Sequence, residues 1–342
     1  MPEITVVITA YNLERYIEQC LSELESQTFR DFAVLLVDDC STDRTAELAV
    51  ASMKHCCFPF QLVRPDKNQG SAGKARNFAL NSGLVQGKYV LFLDGDDRLE
   101  SNFLEVLHTR AVQTGADITL CAYDRFEDET GHVLCKEMCG FPSEILLPPD
   151  NDILCFVNAS VWNKLIRMSI ISDSRFPDFS VGEDKAFFLA LYPKCKKIAC
   201  LDEVLIHYRV HSSSVISNTR VENVEQFANE LFRQYSEASE PWLRNTISED
   251  VLIHIGVSMP LRIAGNPSAV KKKALREIRE RFSSEYGWFR DNDWLRLKNL
   301  CTHGVKGLGL WVAKGCHRLG CFSLFLRALL FTTRVLRIEI KF

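Results

Sequence analysis

Tyr89-Val90-Leu91-Phe92-Leu93-Asp94-Gly95-Asp96-Asp97 runs from five consecutive apolar residues straight into three carboxylates within four positions. Aromatic and aliphatic side chains between Gly87 and Gly95 suit a strand covered on both faces, as in the middle of a parallel sheet. In open α/β sheets ligands bind beyond the carboxyl ends of such strands. Carboxylates this close repel one another, and keeping them ionised calls for a cation; oxygen ligands favour Mg²⁺ or Mn²⁺. The plainer alternative is a solvated acidic turn in which Asp97 caps the next helix.

Working outward, Ile4–Thr9 and Phe32–Val37 repeat the pattern, the second again ending in carboxylates, Asp38-Asp39. The spacing of Leu13, Ile17, Leu21 and Leu24 predicts a helix after the first strand, and Ser41, Thr42 and Asp43 are candidate caps for one over Ala46–Val50. A third strand is expected at Phe60–Val63, then a short helix Ala72–Asn81, the acidic strand, a helix Glu100–Thr114 and a strand Asp117–Cys121. Strand and helix therefore alternate over about the first 120 residues, the pattern of a doubly wound α/β domain. Tyr123–Asp150 loses periodicity and reads as an irregular surface excursion. Regular character returns at Ile153–Ile171, followed by a loop Ser172–Val181, a helix Glu183–Leu191 and a strand Glu203–Val210, and beyond Ser217 the pattern is helical, broken at Pro241, Gly265-Asn266-Pro267 and Gly287.

The 342 residues allow one large domain with a smaller one appended, and a net charge of −3 points to no nucleic acid. Thirteen cysteines at irregular spacings, without a CxxC pair, fit reduced thiols and a cytoplasmic protein better than a disulfide framework or zinc cluster. Met1-Pro2-Glu3 leads directly into a strand, without the features of a secretory signal. The last forty residues combine Lys306, Lys314, Arg318, Arg327, Arg334, Arg337 and Lys341 with large apolar side chains, opposed only by Glu339. That stretch is too short and too interrupted to span a bilayer. It reads either as a basic amphipathic helix on an anionic membrane surface, which would make the protein peripheral on the inner face, or as a helix packed on its own core or a second subunit.

Taken in order, the motifs resemble those of family 2 glycosyltransferases. They are Val6–Asn12, Gln27–Phe32, Val37–Asp43, Asn68-Gln69-Gly70 with Ala75-Arg76-Asn77, Gly87–Asp97, Trp162–Leu165, Gly182-Glu183-Asp184, and Tyr208–His211 with Ser214. Cys40 stands where the family usually has Gly, and Gly95 where Ser is common. The resemblance covers roughly residues 3 to 215. It implies an A-type glycosyltransferase fold, a Rossmann-like mixed sheet flanked by helices, in a nucleotide-sugar-binding domain over residues 1–215. A helical region, 216–302, and the basic tail, 303–342, follow as a C-terminal extension. It further implies an inverting, metal-dependent transferase moving a sugar from a UDP-sugar to a glycan or lipid-linked acceptor in polysaccharide biosynthesis.

The donor would be held by Thr9, Ala10 and Tyr11 at the first strand end, by Asp39 on the nucleobase, and by Asp94 and Gly95. Lys74 and Arg76 would meet the diphosphate near a helix N-terminus. The resemblance makes Asp96 the direct metal ligand, with Asp94, Asp97 and His211 as further candidates for Mn²⁺ or Mg²⁺. It makes Asp184 the general base, with Glu183 beside it, and sets Trp162 and Lys164 at the acceptor. Capping of helix dipoles would account for Glu183 and Asp184 equally, and a core role for Trp162. Two other readings stand beside this one. A sugar-nucleotide nucleotidyltransferase would need a Gly-rich basic loop where Thr9–Glu14 stands; a non-catalytic scaffold could bind nucleotide or partner another glycosyltransferase. A nicotinamide oxidoreductase lacks GxGxxG after the first strand.

Overall fold

The computed structural model describes residues 1–54, 56–210, 221–265, 280 and 292–335. His211, Ser214, Asn266-Pro267, Gly287, Arg337, Glu339 and Lys341, all named above, lie outside the described residues. The chain divides into two compact units: Met1–Pro148 with Asn158–Ser214, and Pro149–Val157 with Val215–Phe342. The basic tail therefore belongs to the same unit as the helices before it, and a short piece of the middle of the chain belongs there too.

The first unit is built on a mixed sheet. Its strands are β1 (Ile4–Ala10), β2 (Phe32–Asp38), β3 (Phe60–Val63), β4 (Tyr89–Asp94), β5 (Arg98–Leu99), β6 (Ile118–Glu127), β7 (Val133–Glu137), β8 (Glu144–Leu146), β9 (Lys164–Arg167) and β10 (Lys197–Val210). They lie in the order β3-β2-β1-β4-β9-β6-β10-β5, with β7 on β6 and β8 on β10. β3, β2, β1 and β4 are parallel, β9 runs antiparallel between β4 and β6, and β10 is parallel to β6. This is the mixed sheet flanked by helices expected of the A-type fold. β1 is buried along its whole length and β4 as far as Leu93, as continuous apolar runs require of central strands.

The helices of this unit are α1 (Ile17–Glu25), α2 (Thr45–Met53), α3 (Ala72–Asn81), α4 (Phe103–Thr114), α6 (Met168–Ile171) and α7 (Glu183–Leu191), while α5 (Ile153–Phe156) lies in the second unit. α1 buries Ile17, Cys20, Leu21 and Leu24, while Leu13, expected on the same face, precedes the helix and is half-buried. The cysteines from Cys20 to Cys200, with Cys316 and Cys321, are free thiols.

The excursion after Tyr123 is more regular than its composition suggests. β6 continues to Glu127 and folds back as a hairpin with β7, while β8 adds antiparallel to β10. Charged side chains interrupt the apolar signal here because the sheet satisfies them across strands: His207 Nδ1 lies 2.8 Å from Asp124 Oδ1, and the Tyr123 hydroxyl donates to Glu137 at 2.6 Å.

Gly87 shows why the acidic strand begins where it does. Its φ of +96° turns the chain so that the Lys88 and Tyr89 amides both donate to the Glu3 carbonyl at 3.1 Å, locking β4 beside β1. A methyl group at Gly87 would stand 2.4 Å from the Pro2 carbonyl oxygen. Gly87→Ala is therefore expected to cost about 1–3 kcal/mol, from the clash and the left-handed backbone together, read as a lowered melting temperature. An unchanged melting curve would contradict that.

The second unit is helical, with α8 (Val221–Glu237), α9 (Pro241–Asp250), a π-helical stretch Val251–Ser258, α10 (Met259–Gly265) and two later helices, Gly304–Arg318 and Phe322–Val335. Pro241 opens α9 at its first turn, where a missing amide hydrogen costs nothing.

Candidate active site

Register brings the acids together. β1 lies between β2 and β4 with Ala10 opposite Asp38 and Thr9 opposite both Val37 and Asp94, so the carboxylate-bearing ends of β2 and β4 flank the end of β1. The loops beyond are tied to one another. Asn12 Oδ1 accepts from the Thr42 amide at 2.8 Å, the Asn12 amide donates to Ser41 Oγ at 3.0 Å, and the Asp39 amide donates to the Ala10 carbonyl at 2.8 Å. Cys40 has φ +62°, the left-handed backbone that accounts for the usual glycine at this position. Tyr11 is half exposed at this edge, whereas Thr9 and Ala10 are buried.

Asp38 is buried, with Oδ1 accepting from the Ser41 amide at 3.1 Å and Oδ2 lying 3.4 Å from Arg64. It is thus a structural group, and Asp39 is the one that faces the next loop. Asp39 Oδ1 accepts from the Gln69 amide at 2.7 Å, and its backbone carbonyl from Asn68 Nδ2 at 2.7 Å. Burial raises the Asp39 pKa, opposed by hydrogen bonds from the Gln69 and Gly70 amides. These contacts fix the loop that leads into α3, which Ser71 caps by accepting from the Lys74 amide.

From α3 the buried Arg76 reaches two carboxylates from different parts of the chain. Its Nη2 donates to Asp94 Oδ1 and its Nη1 to Asp184 Oδ1, each at 2.8 Å, and the guanidinium lies over the Phe176 ring, 5.4 Å from its centre. Arg76 was expected at the diphosphate; both of its terminal nitrogens are engaged by the two acids. Lys74 instead pairs with the exposed Asp178. Asp184 can reach the strand tips because α7 starts against α3: a methyl group on Gly73 would stand 3.1 Å from both Glu183 Cγ and Phe176 Cβ. The Asn77 side chain fixes the same approach, donating to the Phe176 carbonyl at 2.8 Å and accepting from its amide at 2.9 Å.

Burial raises the Asp184 pKa, against the opposing pull of Arg76 and Lys164. Glu183 is raised for the same first reason, with the Asp184 charge adding to it. Burial is also what pulls Lys164 down to about 7, with the Asp184 charge pulling the other way. Lys164 and Trp162, expected at the acceptor, are 1% and 4% exposed. The Lys164 ammonium donates to the Ser160 carbonyl at 2.6 Å and Asn163 Oδ1 at 2.8 Å, while Trp162 stacks on Tyr208 at 5.4 Å. Both side chains support the floor of the unit.

The acidic loop after β4 separates its carboxylates by role. Asp94 is shared with Arg76. Asp97 is buried: its Oδ1 accepts from the Arg209 amide at 3.0 Å, and its Oδ2 makes no hydrogen bond among the described residues. Burial, then the charges of Asp96 and Asp94, push its pKa well above the carboxylate range. Asp96 is half-buried, and its backbone carbonyl accepts from Arg209 Nε at 2.6 Å. Arg209 also reaches Asp128 at 2.6 Å and Gln19 at 3.2 Å, so one β10 side chain holds the acidic loop from beneath. No role was expected for it, although it alternates with His207 on the strand, and period two is the signal that would have found it. Gly95 packs against the entry to α1, where a methyl would stand 3.0 Å from Leu13 Cδ1 and 3.6 Å from Ile17 Cδ1.

Among the described residues no three His, Cys, Asp or Glu side chains form a ready-made metal cluster. A divalent ion that takes one or two carboxylates and completes its shell with water and substrate phosphates needs none. Asp94 and Asp96, half-buried at one strand tip, fit that requirement; Asp97, buried and turned toward Arg209, does not.

Comparison with known proteins bears on the fold that carries these residues. Residues 5–150 match the family model "Glycosyl transferase family 2". Glycosyltransferase GlyA of Streptococcus pneumoniae is 27% identical over 224 residues, covering 62% of this chain but 31% of its own length, so the chain spans about a third of that relative. The crystal structure of S. aureus TarS 1–349 in complex with UDP-GlcNAc superposes with a TM-score of 0.71 at 20% identity, over 93% of this chain and 92% of that one. The mannosyltransferase PcManGT from Pyrobaculum calidifontis, solved with GDP-Man and Mn²⁺, reaches a TM-score of 0.53 at 13% identity over 99% and 88%. At these identities the two structures attest the fold alone. The match to the glycosyl transferase family 2 model thus falls on the β1–β8 part of the first unit, where the strand-tip acids are assembled as described, and it is this stretch of the chain that is similar to the family.

Proposed function

We propose that the chain transfers a sugar with inversion from a UDP-sugar to a hydroxyl of a glycan or lipid-linked acceptor. The single observation that carries this reading is the Arg76 bridge, which sets a late-chain carboxylate, Asp184, against the tip of β4. Direct displacement needs a base on one side of the anomeric carbon and a leaving diphosphate on the other. A base from α7 facing acids from the sheet meets that need.

In this mechanism Asp39 and the β1 end, with Tyr11, hold the nucleobase, and Asp94 orients the ribose. Asp184 accepts the proton of the attacking hydroxyl as its oxygen bonds to the anomeric carbon and the bond to the diphosphate oxygen breaks. Burial, which strengthens Asp184 as a base, suits that task. Glu183, similarly raised, stands next to it at the start of α7. Asp94 and Asp96 would hold a Mg²⁺ or Mn²⁺ ion, which when bound offsets the charge that builds on the leaving diphosphate. The UDP-GlcNAc complex of TarS supports uracil as the base, and the Mn²⁺ complex of PcManGT supports the ion.

A panel of UDP-glucose, UDP-galactose, UDP-GlcNAc and GDP-mannose, scored by slow nucleotide release with Mn²⁺, tests this. Turnover of at least one UDP-sugar is expected. Release from GDP-mannose alone would overturn the uracil assignment, and calorimetric binding of UDP without any release would favour a non-catalytic scaffold.

A further inference from the structure

The helices Gly304–Arg318 and Phe322–Val335 each bury one face and leave another exposed. Leu310, Ala313 and His317 are buried on the first, and Phe322, Leu326 and Leu329 on the second. Leu308, Trp311 and Val312, spaced three and four apart and so on one face, are 49%, 43% and 37% exposed. On the second helix Leu324 and Phe331 are 64% and 60% exposed, and Leu319 in the turn is 80% exposed. Large apolar side chains grouped in this way mark an interaction surface.

Charge decides what covers it. Between Gly304 and Val335 there is no Asp or Glu, while Arg318, seven residues on from Trp311, and Arg327, three and four residues from Leu324 and Phe331, are exposed on the apolar faces. A second copy of the chain meeting this face about a two-fold axis would set cations against cations with no carboxylate from these helices to answer them. A lipid surface carrying negative headgroups answers both features at once, taking the apolar side chains into the acyl boundary and the cations at the phosphates. Among the described residues no helix is long and apolar enough to cross a membrane, so the contact would lie in the plane of the interface. We propose that this helix pair is a docking surface for an anionic lipid bilayer. The inference goes beyond sugar transfer and does not depend on it.

Full-length protein is sedimented with phosphatidylcholine vesicles, with and without phosphatidylglycerol. Pelleting with the phosphatidylglycerol vesicles, weakened by salt, is the expected result. The variant R318Q/R327Q should lower the partition coefficient by about fivefold per cation, about 25-fold in all. The variant W311S/L324S/F331S should weaken binding while keeping the salt dependence. Both variants replace exposed side chains, and circular dichroism confirms that they fold. Equal binding to the two vesicle types, native binding by either variant, or absence of pelleting would overturn the proposal. So would a concentration-dependent dimer that the apolar variant dissolves in the absence of vesicles. Because the readout is binding and not turnover, failure here leaves the donor reading untouched.

Discussion

Asp184→Asn is expected to retain UDP binding and to lose about 10²–10⁴-fold in transfer, the contribution of one positioned base. The substitution keeps the size of the side chain and removes only its capacity to take a proton. Arg76 keeps its second partner, Asp94, at 2.8 Å, so the donor side of the site should persist, and calorimetry with UDP would show it. The wild type should also show an acid limb in kcat/KM. Burial raises the Asp184 pKa above the ordinary carboxylate range, so the group is protonated, and idle as a base, over a wider span of acidic pH. Activity then falls as pH drops through that raised value. The same shift acts on stability with the opposite sense: folding favours the protonated form, so the contribution present at low pH is lost as pH rises through the raised pKa. A variant with normal turnover, or an unchanged acid limb in that variant, would remove Asp184 from the chemistry.

What could be seen in the sequence was whatever the chain encodes locally. Ala72–Asn81 and Glu183–Leu191 form helices over the predicted residues, and the strand Phe60–Val63 also has its predicted limits, because each sits between turn residues and carries its own periodicity. The strand-tip acids could be placed because a buried apolar run fixes where its strand ends, although their separate roles could not, since Asp38 and Asp97 turn to structural partners. What escaped was non-local. Arg76 and Asp184 stand 108 positions apart, and no pattern at either end announces the bond between them. Lys164 resembles a surface cation until its neighbours Ser160, Asn163 and Phe188 close over it. The hairpin of β6 and β7 was hidden by charges that only cross-strand partners can satisfy, such as Arg125 and Glu137 at 3.8 Å. The glycine-like backbone of Cys40 is likewise set by its surroundings, since cysteine has no preference for positive φ.

Arg76→Met should produce the largest loss of stability of any single change considered. The Arg76 side chain is 3% exposed and lies between carboxylates that are 29% and 20% exposed. Removing one member of a buried ionic group typically costs about 3–5 kcal/mol, since the partners are left charged without compensation. Residual solvent around Asp94 and Asp184 places the expected value near the lower end, about 3 kcal/mol, or roughly 6–12 °C in melting temperature for a unit of this size. The deficit should depend on pH in a defined direction. Without the guanidinium Asp184, whose pKa burial already raises, loses the charge that opposes that rise, so its protonation relieves the uncompensated charge and the gap between variant and wild type should narrow as pH falls. Arg76→Lys should rescue only part of the loss. One ammonium cannot reproduce a fork that sends Nη1 to Asp184 and Nη2 to Asp94 in fixed directions. Donor binding should weaken in both variants, because Asp94 loses the partner that orients it at the strand tip. Thermal melts of the three proteins between mildly acidic and neutral pH decide the matter. Equal melting temperatures, or a gap that widens on acidification, would mean that the bridge does not hold the site together.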